Sequence, residues 1–175
     1  MERIILKARD FATLAHAGQR RKYTGEPYII HPEHVAGLVQ TVGAGRAAVA
    51  AAYLHDTVED TDITVPDIRR EFGDEVAALV REVTDVSRPE DGNRATRKAI
   101  DRAHLAESSP RGATIKLADM IDNTSTILRF DPAFAKVYMK EKKELLKVLG
   151  HGDPRLLLHA VMLVNRYFGI NGENE

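Results

Sequence analysis

One histidine and three carboxylates fall within six consecutive residues of this sequence, in the segment AAYLHDTVEDT. His55 and Asp56 offer a nitrogen and an oxygen ligand to a divalent metal ion. If the alanine-rich stretch before them is helical, residues four apart share one face, which aligns His55 with Glu59 and Asp56 with Asp60. The two later acids would then bind or polarise water beside the ion. The segment therefore predicts a catalytic metal centre.

A single ion beside this pair needs further ligands, because neighbouring residues point about 100° apart around a helix. His31 and Asp119 are the best sources elsewhere in the chain. Pro32 follows His31 directly, which predicts that His31 is extended, in a loop at the entrance of a helix. Asp119 lies in a mostly apolar predicted helix, where an unpaired carboxylate would cost roughly several kcal/mol. Two histidines and two aspartates suit Mn²⁺, while Zn²⁺, Fe²⁺ and Mg²⁺ stay open.

Helical periodicity and breaker residues predict that consecutive helices position these groups. In the first half we expect a helix over 2–18, a loop over 20–32, a helix through Val35, Leu38 and Val39, a junction at Gly43 and Gly45, and a helix over 47–57. A short helix in VPDIRREFG should be followed by a helix over 74–86, with Asp74 as its N-cap, and by a mobile loop over 87–92. We then expect a basic helix and, after Pro110 and Gly112, a helix that bears Asp119. Two more helices should complete the chain.

Composition limits the class of protein. The 175 residues are 43% hydrophobic, which suits one domain with a substantial core. A net charge of −1 without a sustained basic tail disfavours non-specific nucleic-acid binding. The absence of cysteine excludes disulfides and thiolate metal sites. No segment has the pattern of a signal peptide or membrane span, so we expect a cytoplasmic protein that does not bind membranes.

Three spaced segments carry a resemblance to known enzymes: RRKYTGEPYIIHP, HDTVEDT and KLADMIDNT. In this order they resemble the hydrolase domain of RelA/SpoT proteins and the stand-alone small alarmone hydrolases of the metazoan SpoT-homologue type. The resemblance begins in the first predicted helix and weakens after Phe130. These enzymes are HD-domain metal phosphohydrolases. The resemblance therefore implies an all-α fold, a single compact helical bundle over 1–175 with a metal site between helices.

The resemblance also implies roles for the residues of the site. One Mn²⁺ would be held by four side chains: His31, His55, Asp56 and Asp119. Glu59 and Asp60 would orient or deprotonate the water that attacks the 3′-pyrophosphate of guanosine tetraphosphate or pentaphosphate. A divalent ion can lower the pKa of water from about 15.7 towards 7 and stabilise charge on phosphoryl oxygens. The residues by themselves fit the same chemistry.

Six side chains are candidate substrate contacts: Arg21, Lys22, Arg97, Lys98, Asn123 and Thr126. The resemblance places Arg21 and Lys22 beside the nucleotide base and Asn123 at the sugar, and Thr126 is a weaker match. Arg97 and Lys98 belong instead to a basic stripe with helical spacing, which could neutralise a charged nucleotide. A solvated helix face explains this stripe equally well.

The third segment departs from the related enzymes, many of which have KLADRLHNMRT where this chain has KLADMIDNTST. Met120, Asp122 and Ser125 occupy positions that are usually basic or imidazole. The substrate could therefore be another nucleotide, such as the adenosine alarmone ppApp or NADPH. A catalytically silent nucleotide-binding regulatory module is a further alternative, against which the intact Glu59 and Asp60 argue.

Two predictions concern the other histidines and the assembly. The remaining histidines are expected to be structural or surface groups: His16, His34, His104, His151 and His159. His34 is close enough to His31 in sequence that a supporting role at the site stays open. Apolar stripes at helical spacing in the last two helices are expected to be core. They could also form a surface between two copies, so the oligomeric state stays open.

Overall fold

The computed structural model describes residues 3–171, and the described chain is an all-α bundle, as the sequence predicts. Its α-helices in chain order are α1 (Arg3–Ala15), α2 (Ile30–Thr41), α3 (Arg46–Leu54), α4 (Thr57–Asp60), α5 (Val65–Phe72), α6 (Asp74–Val83), α7 (Arg94–Ala106), α8 (Pro110–Phe130), α9 (Pro132–Leu146) and α10 (Pro154–Asn171). A short 3₁₀ helix, Pro89–Asp91, precedes α7. Within residues 3–171, no helix combines the length and the apolarity needed to cross a lipid bilayer.

Helix α3 lies at the centre of the bundle, where α1, α2, α6 and α8 pack around it. After Arg46, its sequence AAVAAAYL is apolar on all sides, which is typical of a buried helix. Four alanines, from Ala48 to Ala52, have no exposed surface. Because their side chains are so short, neighbouring helix backbones can approach closely. The C-terminal end of α3, where His55 and Asp56 follow, is therefore held inside the protein.

Helix α8 is the second buried element, and it contacts α2, α3, α6, α9 and α10. The hydroxyl of Ser109 caps its start by accepting a hydrogen bond from the Gly112 amide at 3.2 Å. Pro110 is the first helical residue, where its missing N–H would have no partner in any case. The prediction that Pro110 and Gly112 precede this helix was therefore wrong. The helix carries Asp119 through the middle of the bundle.

The predicted helix over 47–57 was wrong at its end, because α3 stops at Leu54 and α4 begins at Thr57. Between them, His55 and Asp56 keep right-handed helical backbone angles, with φ of −59° and −94°. Two side chains bind main-chain carbonyl oxygens at the break. The Thr57 hydroxyl donates to the Leu54 oxygen, and His55 Nδ1 lies 2.7 Å from the Ala52 oxygen. The Asp60 amide still donates to the Asp56 carbonyl at 2.9 Å, so the chain resumes its helical path at once.

Two other local predictions were wrong for identifiable reasons. His31 is not extended in a loop but lies in the first turn of α2, because Pro32 is tolerated where a helix needs no N–H donor. Asp74 is the first residue of α6 rather than its N-cap, which is Gly73 at φ 85°. Glycine adopts this left-handed conformation at little cost, so α5 can end and α6 begin at the same residue.

Asp101 anchors the chain that follows α6, and it is 3% exposed. Its carboxylate accepts hydrogen bonds from the amides of Val86 and Ser87 at 3.1 and 2.9 Å and from the Ser87 hydroxyl. We expect Asp101→Ala to lower the free energy of unfolding by about 2 to 3 kcal/mol, because it leaves three partly buried donors without their acceptor. Urea unfolding measures this change. Asp62→Ala, at an exposed position, should shift it by less than about 0.5 kcal/mol, and equal effects would refute the anchoring role.

Candidate metal centre

Four side chains from three parts of the bundle meet in its interior. His31 comes from the first turn of α2, His55 and Asp56 from the turn after α3, and Asp119 from the middle of α8. The potential ligand atoms of His31, His55 and Asp56 all lie within 4.8 Å of one another. Asp119 Oδ1 lies 3.3 Å from His31 Nε2 and 3.9 Å from His55 Nε2. The structure thus brings together the four residues that the sequence singled out as ligands.

The hydrogen bonds of the two histidines leave one nitrogen of each ring available. His55 Nδ1 lies 2.7 Å from the Ala52 carbonyl oxygen, and His31 Nδ1 lies 2.6 Å from Asp122 Oδ2. Because each Nδ1 faces an acceptor, it carries a proton, and Nε2 is the nitrogen left for a metal ion, which would take the place of a second proton there. Both Nε2 atoms are buried, and neither has a hydrogen-bond partner among the described residues. Two orphaned imidazole nitrogens facing two carboxylates fit a divalent metal ion.

The charges around this cluster keep its carboxylates ionised. Burial alone would raise the pKa of Asp56, but the facing imidazoles of His55 and His31 outweigh it and hold that pKa below its usual range. Burial also opposes ionisation of Asp119. The Lys116 ammonium, 3.2 Å from Oδ2, outweighs burial and holds the pKa of Asp119 well below its usual range. Tyr28 donates a hydrogen bond to Asp56 Oδ2 at 2.7 Å. Both carboxylates are therefore ionised, the form in which they bind a cation.

Glu59 and Asp60 lie at the exposed rim of the cluster. The Asp85 amide donates to Glu59 Oε1 at 2.7 Å and fixes this carboxylate. The surrounding protein partly desolvates the Glu59 carboxylate. This desolvation outweighs the attraction of Lys116 and raises the pKa of Glu59 to about 7. Reduced hydration, followed by repulsion from Asp56, also raises the pKa of Asp60. A carboxylate with a pKa near neutrality is well suited to exchange protons with water.

Two of the candidate substrate contacts are linked to the cluster by a chain of hydrogen bonds. Arg21 donates to Asn123 Oδ1 at 3.1 Å, and Asn123 donates through its amide to Asp119 Oδ1 at 2.6 Å. Lys22 instead extends into solvent beside Tyr23, with its ammonium 3.2 Å from the phenol oxygen. Thr126 is half-buried, and its hydroxyl lies 3.5 Å from a main-chain oxygen of the same helix.

The basic stripe on α7 is largely occupied by ion pairs within the protein. Arg94 binds Glu141 through two hydrogen bonds of 2.6 and 2.9 Å, and Lys98 lies 2.7 Å from Asp85. Arg97 differs, because its buried Nε has no hydrogen-bond partner among the described residues. The stripe is thus not a uniformly free basic surface, and Arg97 is its member with an unsatisfied donor.

Sequence reasoning did not assign three supporting side chains of the site: Tyr28, Lys116 and Asp122. Lys116 is three residues before Asp119 and Asp122 three residues after it, a spacing that places side chains on one helix face. That spacing is the signal that could have identified them. Tyr28 reaches Asp56 from a turn 28 residues earlier, and local sequence carries no such signal.

The sequence model described as HD domain matches residues 8–151. The human guanosine-3′,5′-bis(diphosphate) 3′-pyrophosphohydrolase MESH1 is 41% identical over 132 residues, which cover 73% of this chain and 72% of that protein. A probable guanosine-3′,5′-bis(diphosphate) 3′-pyrophosphohydrolase from Synechocystis is 39% identical over 151 residues, 85% of this chain but 20% of that protein. The chain thus spans about a fifth of the length of the first curated relatives that it matches.

A solved structure is similar over nearly the whole chain. It has a TM-score of 0.82 and 30% sequence identity, and the match covers 95% of this chain and 96% of the other. That structure is described as a metazoan ortholog of SpoT that hydrolyzes ppGpp and plays a role in starvation responses. The likeness therefore extends beyond the helices that carry the cluster to the last helices of the bundle.

Proposed function

This chain belongs to the HD-domain family, and we propose that it is a metal-dependent hydrolase that removes the 3′-pyrophosphate of a guanosine alarmone. The products would be GDP from ppGpp, or GTP from pppGpp, and pyrophosphate. The observation that carries the proposal is the pair of buried, unpartnered Nε2 atoms that face two ionised carboxylates. The names of the human and Synechocystis relatives and of the similar structure support the same substrate.

The residues that would hold the ion are His31, His55, Asp56 and Asp119. Their two imidazoles and two carboxylates suit Mn²⁺, and the chain has no cysteine that would favour a thiolate site. When bound, such an ion supplies acidity to a water molecule and neutralises charge on the phosphoryl oxygens. Tyr28 and Lys116 would keep the two aspartates oriented, because each contacts one of their oxygens.

The chain's own acids would handle the proton in the reaction. Water attacks the phosphorus attached to the ribose 3′ oxygen, the bond between them breaks, and the 3′ oxygen takes up a proton. We assign to Glu59 the acceptance of the proton from water, because the Asp85 amide fixes its carboxylate and its pKa is near neutrality. Asp60 would orient the same water from the neighbouring position.

The nucleotide would be held on the α2 and α8 side of the site. Arg21 and Asn123 form a connected pair that leads from the surface to Asp119, and Lys22 is exposed beside them. We assign the base to Arg21 and Lys22, the sugar to Asn123 with Thr126 nearby, and a phosphate to Arg97. Lys98 could contribute only by sharing or leaving its ion pair with Asp85.

The rate should depend on pH through Glu59. Below a pH of about 7 this carboxyl holds a proton and cannot accept another, so kcat/KM should rise as pH increases through that value. A bound cation favours the ionised carboxylate, so it would move the midpoint downward. Initial rates at saturating Mn²⁺ across this range test the prediction. A rate that falls with increasing pH over the same interval would contradict it.

The substrate is tested by incubating metal-free protein, with and without added Mn²⁺, with ppGpp, ppApp and NADPH. We expect manganese-dependent formation of GDP and pyrophosphate, identified by chromatography. Orthophosphate from NADPH, or turnover of ppApp alone, would keep the metal mechanism and replace the substrate. Tight alarmone binding without turnover in any metal would instead indicate a silent regulatory module. A cytoplasmic location and self-association stay predictions from the sequence.

A further inference from the structure

We propose that Asp122 positions the metal ligand His31, so that this chain uses a carboxylate where the related motif has a histidine. The inference rests on the proposed metal centre and adds a residue to it. Asp122 Oδ2 lies 2.6 Å from His31 Nδ1, the ring nitrogen that points away from the cluster. A carboxylate that accepts the Nδ1–H of a metal-ligating histidine fixes the orientation of the ring and the position of its lone pair.

The surroundings of Asp122 are built for this contact. Its side chain is only 12% exposed, and its other oxygen, Oδ1, accepts a hydrogen bond from His34 Nδ1 at 2.8 Å. The Arg21 guanidinium lies 3.4 Å from Oδ2 and compensates the negative charge. With partners on both oxygens, the carboxylate has little freedom to rotate away from His31.

The spacing along α8 explains how one helix can serve both ends of the imidazole. Asp119 and Asp122 are three residues apart and share a face, so they approach the His31 ring from opposite edges. Asp119 Oδ1 is 3.3 Å from Nε2, whereas Asp122 Oδ2 is 2.6 Å from Nδ1. The His31 ring thus lies between two carboxylates, the proposed metal ligand Asp119 and the supporting Asp122. Asp122 also contacts Arg21, so it connects the metal centre to a proposed nucleotide contact.

The expected effect is on metal affinity. Loss of a partner of this kind weakens metal binding by about 10- to 100-fold. Asp122→Ala removes both acceptor oxygens and should reach this range. Asp122→Asn keeps the shape and one acceptor oxygen, and should weaken binding by less than Asp122→Ala. Saturating Mn²⁺ should restore most of kcat in both variants, because the four ligands and Glu59 are unchanged, while KM stays raised through Arg21.

The experiment measures Mn²⁺ affinity by calorimetry, independently of any substrate, in the wild type and both variants. Asp10→Asn, an exposed carboxylate on α1, is the matched control and should bind Mn²⁺ like the wild type. His34→Ala should have a small effect, since it leaves the bond from His31 in place. NMR of the Zn²⁺-loaded protein provides a second readout: the His31 Nδ1–H signal should be protected from exchange in the wild type and lose that protection in Asp122→Ala.

The outcomes separate this inference from the proposed function. Unchanged Mn²⁺ affinity in Asp122→Ala, with an unchanged His31 signal, would overturn the role of Asp122 and leave the hydrolase proposal standing. If the wild type binds Mn²⁺ and Asp122→Ala binds it weakly, but neither hydrolyses an alarmone, the role of Asp122 stands and the substrate assignment fails. A wild type that binds no divalent ion would overturn both.

Discussion

His55→Ala is expected to lose bound metal and turnover together. His55 supplies one of the two available imidazole nitrogens, its ring is 1% exposed, and the substitution puts no other protein ligand in its place. Without the ion, the site loses the acidity and charge stabilisation that it supplies, which are worth several kcal/mol. We therefore expect turnover to fall by at least about 10³-fold. Metal content and initial rates, measured on the same purified sample, test this result.

The design separates loss of metal from loss of structure. His159→Ala removes an exposed imidazole from α10 and should change neither metal content nor rate. Circular dichroism of His55→Ala should retain the helical spectrum, because α3 ends before His55 and its alanine packing is untouched. A variant with full metal content and no activity would show that His55 acts in another way. Full activity would exclude the proposed centre altogether.

The sequence predicted the class of the elements well because helical periodicity is a local property. The alanines of α3 and the apolar positions of α8 each repeat within a single continuous helix, so their burial follows from the local pattern. Gly43 and Gly45 were likewise recognised as a junction, and both adopt positive φ angles, 68° and 92°. The resemblance then indicated the residues that the fold brings together.

The local errors arose where two rules compete at the same residue. Pro32 disfavours a helical residue before it, but it is also accepted in a first helical turn, and here the second rule determined the position of His31. At His55, the alanine run predicted an uninterrupted helix. Side-chain hydrogen bonds from His55 and Thr57 to the last carbonyls interrupt it. Neither outcome follows from propensity alone.

The supporting contacts of the site were beyond local sequence patterns because they join distant segments. The Asp85 amide reaches Glu59 across 26 residues, and Tyr28 reaches Asp56 across 28. The basic stripe likewise did not predict the ion pair between Arg94 and Glu141, which lies 47 residues later. Such pairs depend on how the helices pack against one another. A stripe of charged residues therefore predicts a charged helix face, but not which residues pair with it.

Glu59→Gln is expected to retain metal and lose most turnover. Glutamine has the same shape, and its side-chain oxygen can still accept the Asp85 amide hydrogen bond, so the position of the group is preserved. It cannot accept a proton from water, which typically costs about 10² to 10⁴ in rate. Metal content should equal that of the wild type, and the rise of kcat/KM near pH 7 should disappear.

The matched control is Glu107→Gln, an exposed glutamate after α7, which should behave like the wild type in rate, metal content and pH profile. Full activity in Glu59→Gln would refute the assignment of the proton acceptor to Glu59. Asp60 would then be the remaining acid at the rim, and Asp60→Asn would have to produce the loss. If both variants were fully active while His55→Ala was inactive, no carboxylate of this pair would be needed to accept the proton, and the ion with its four ligands would be sufficient for the reaction.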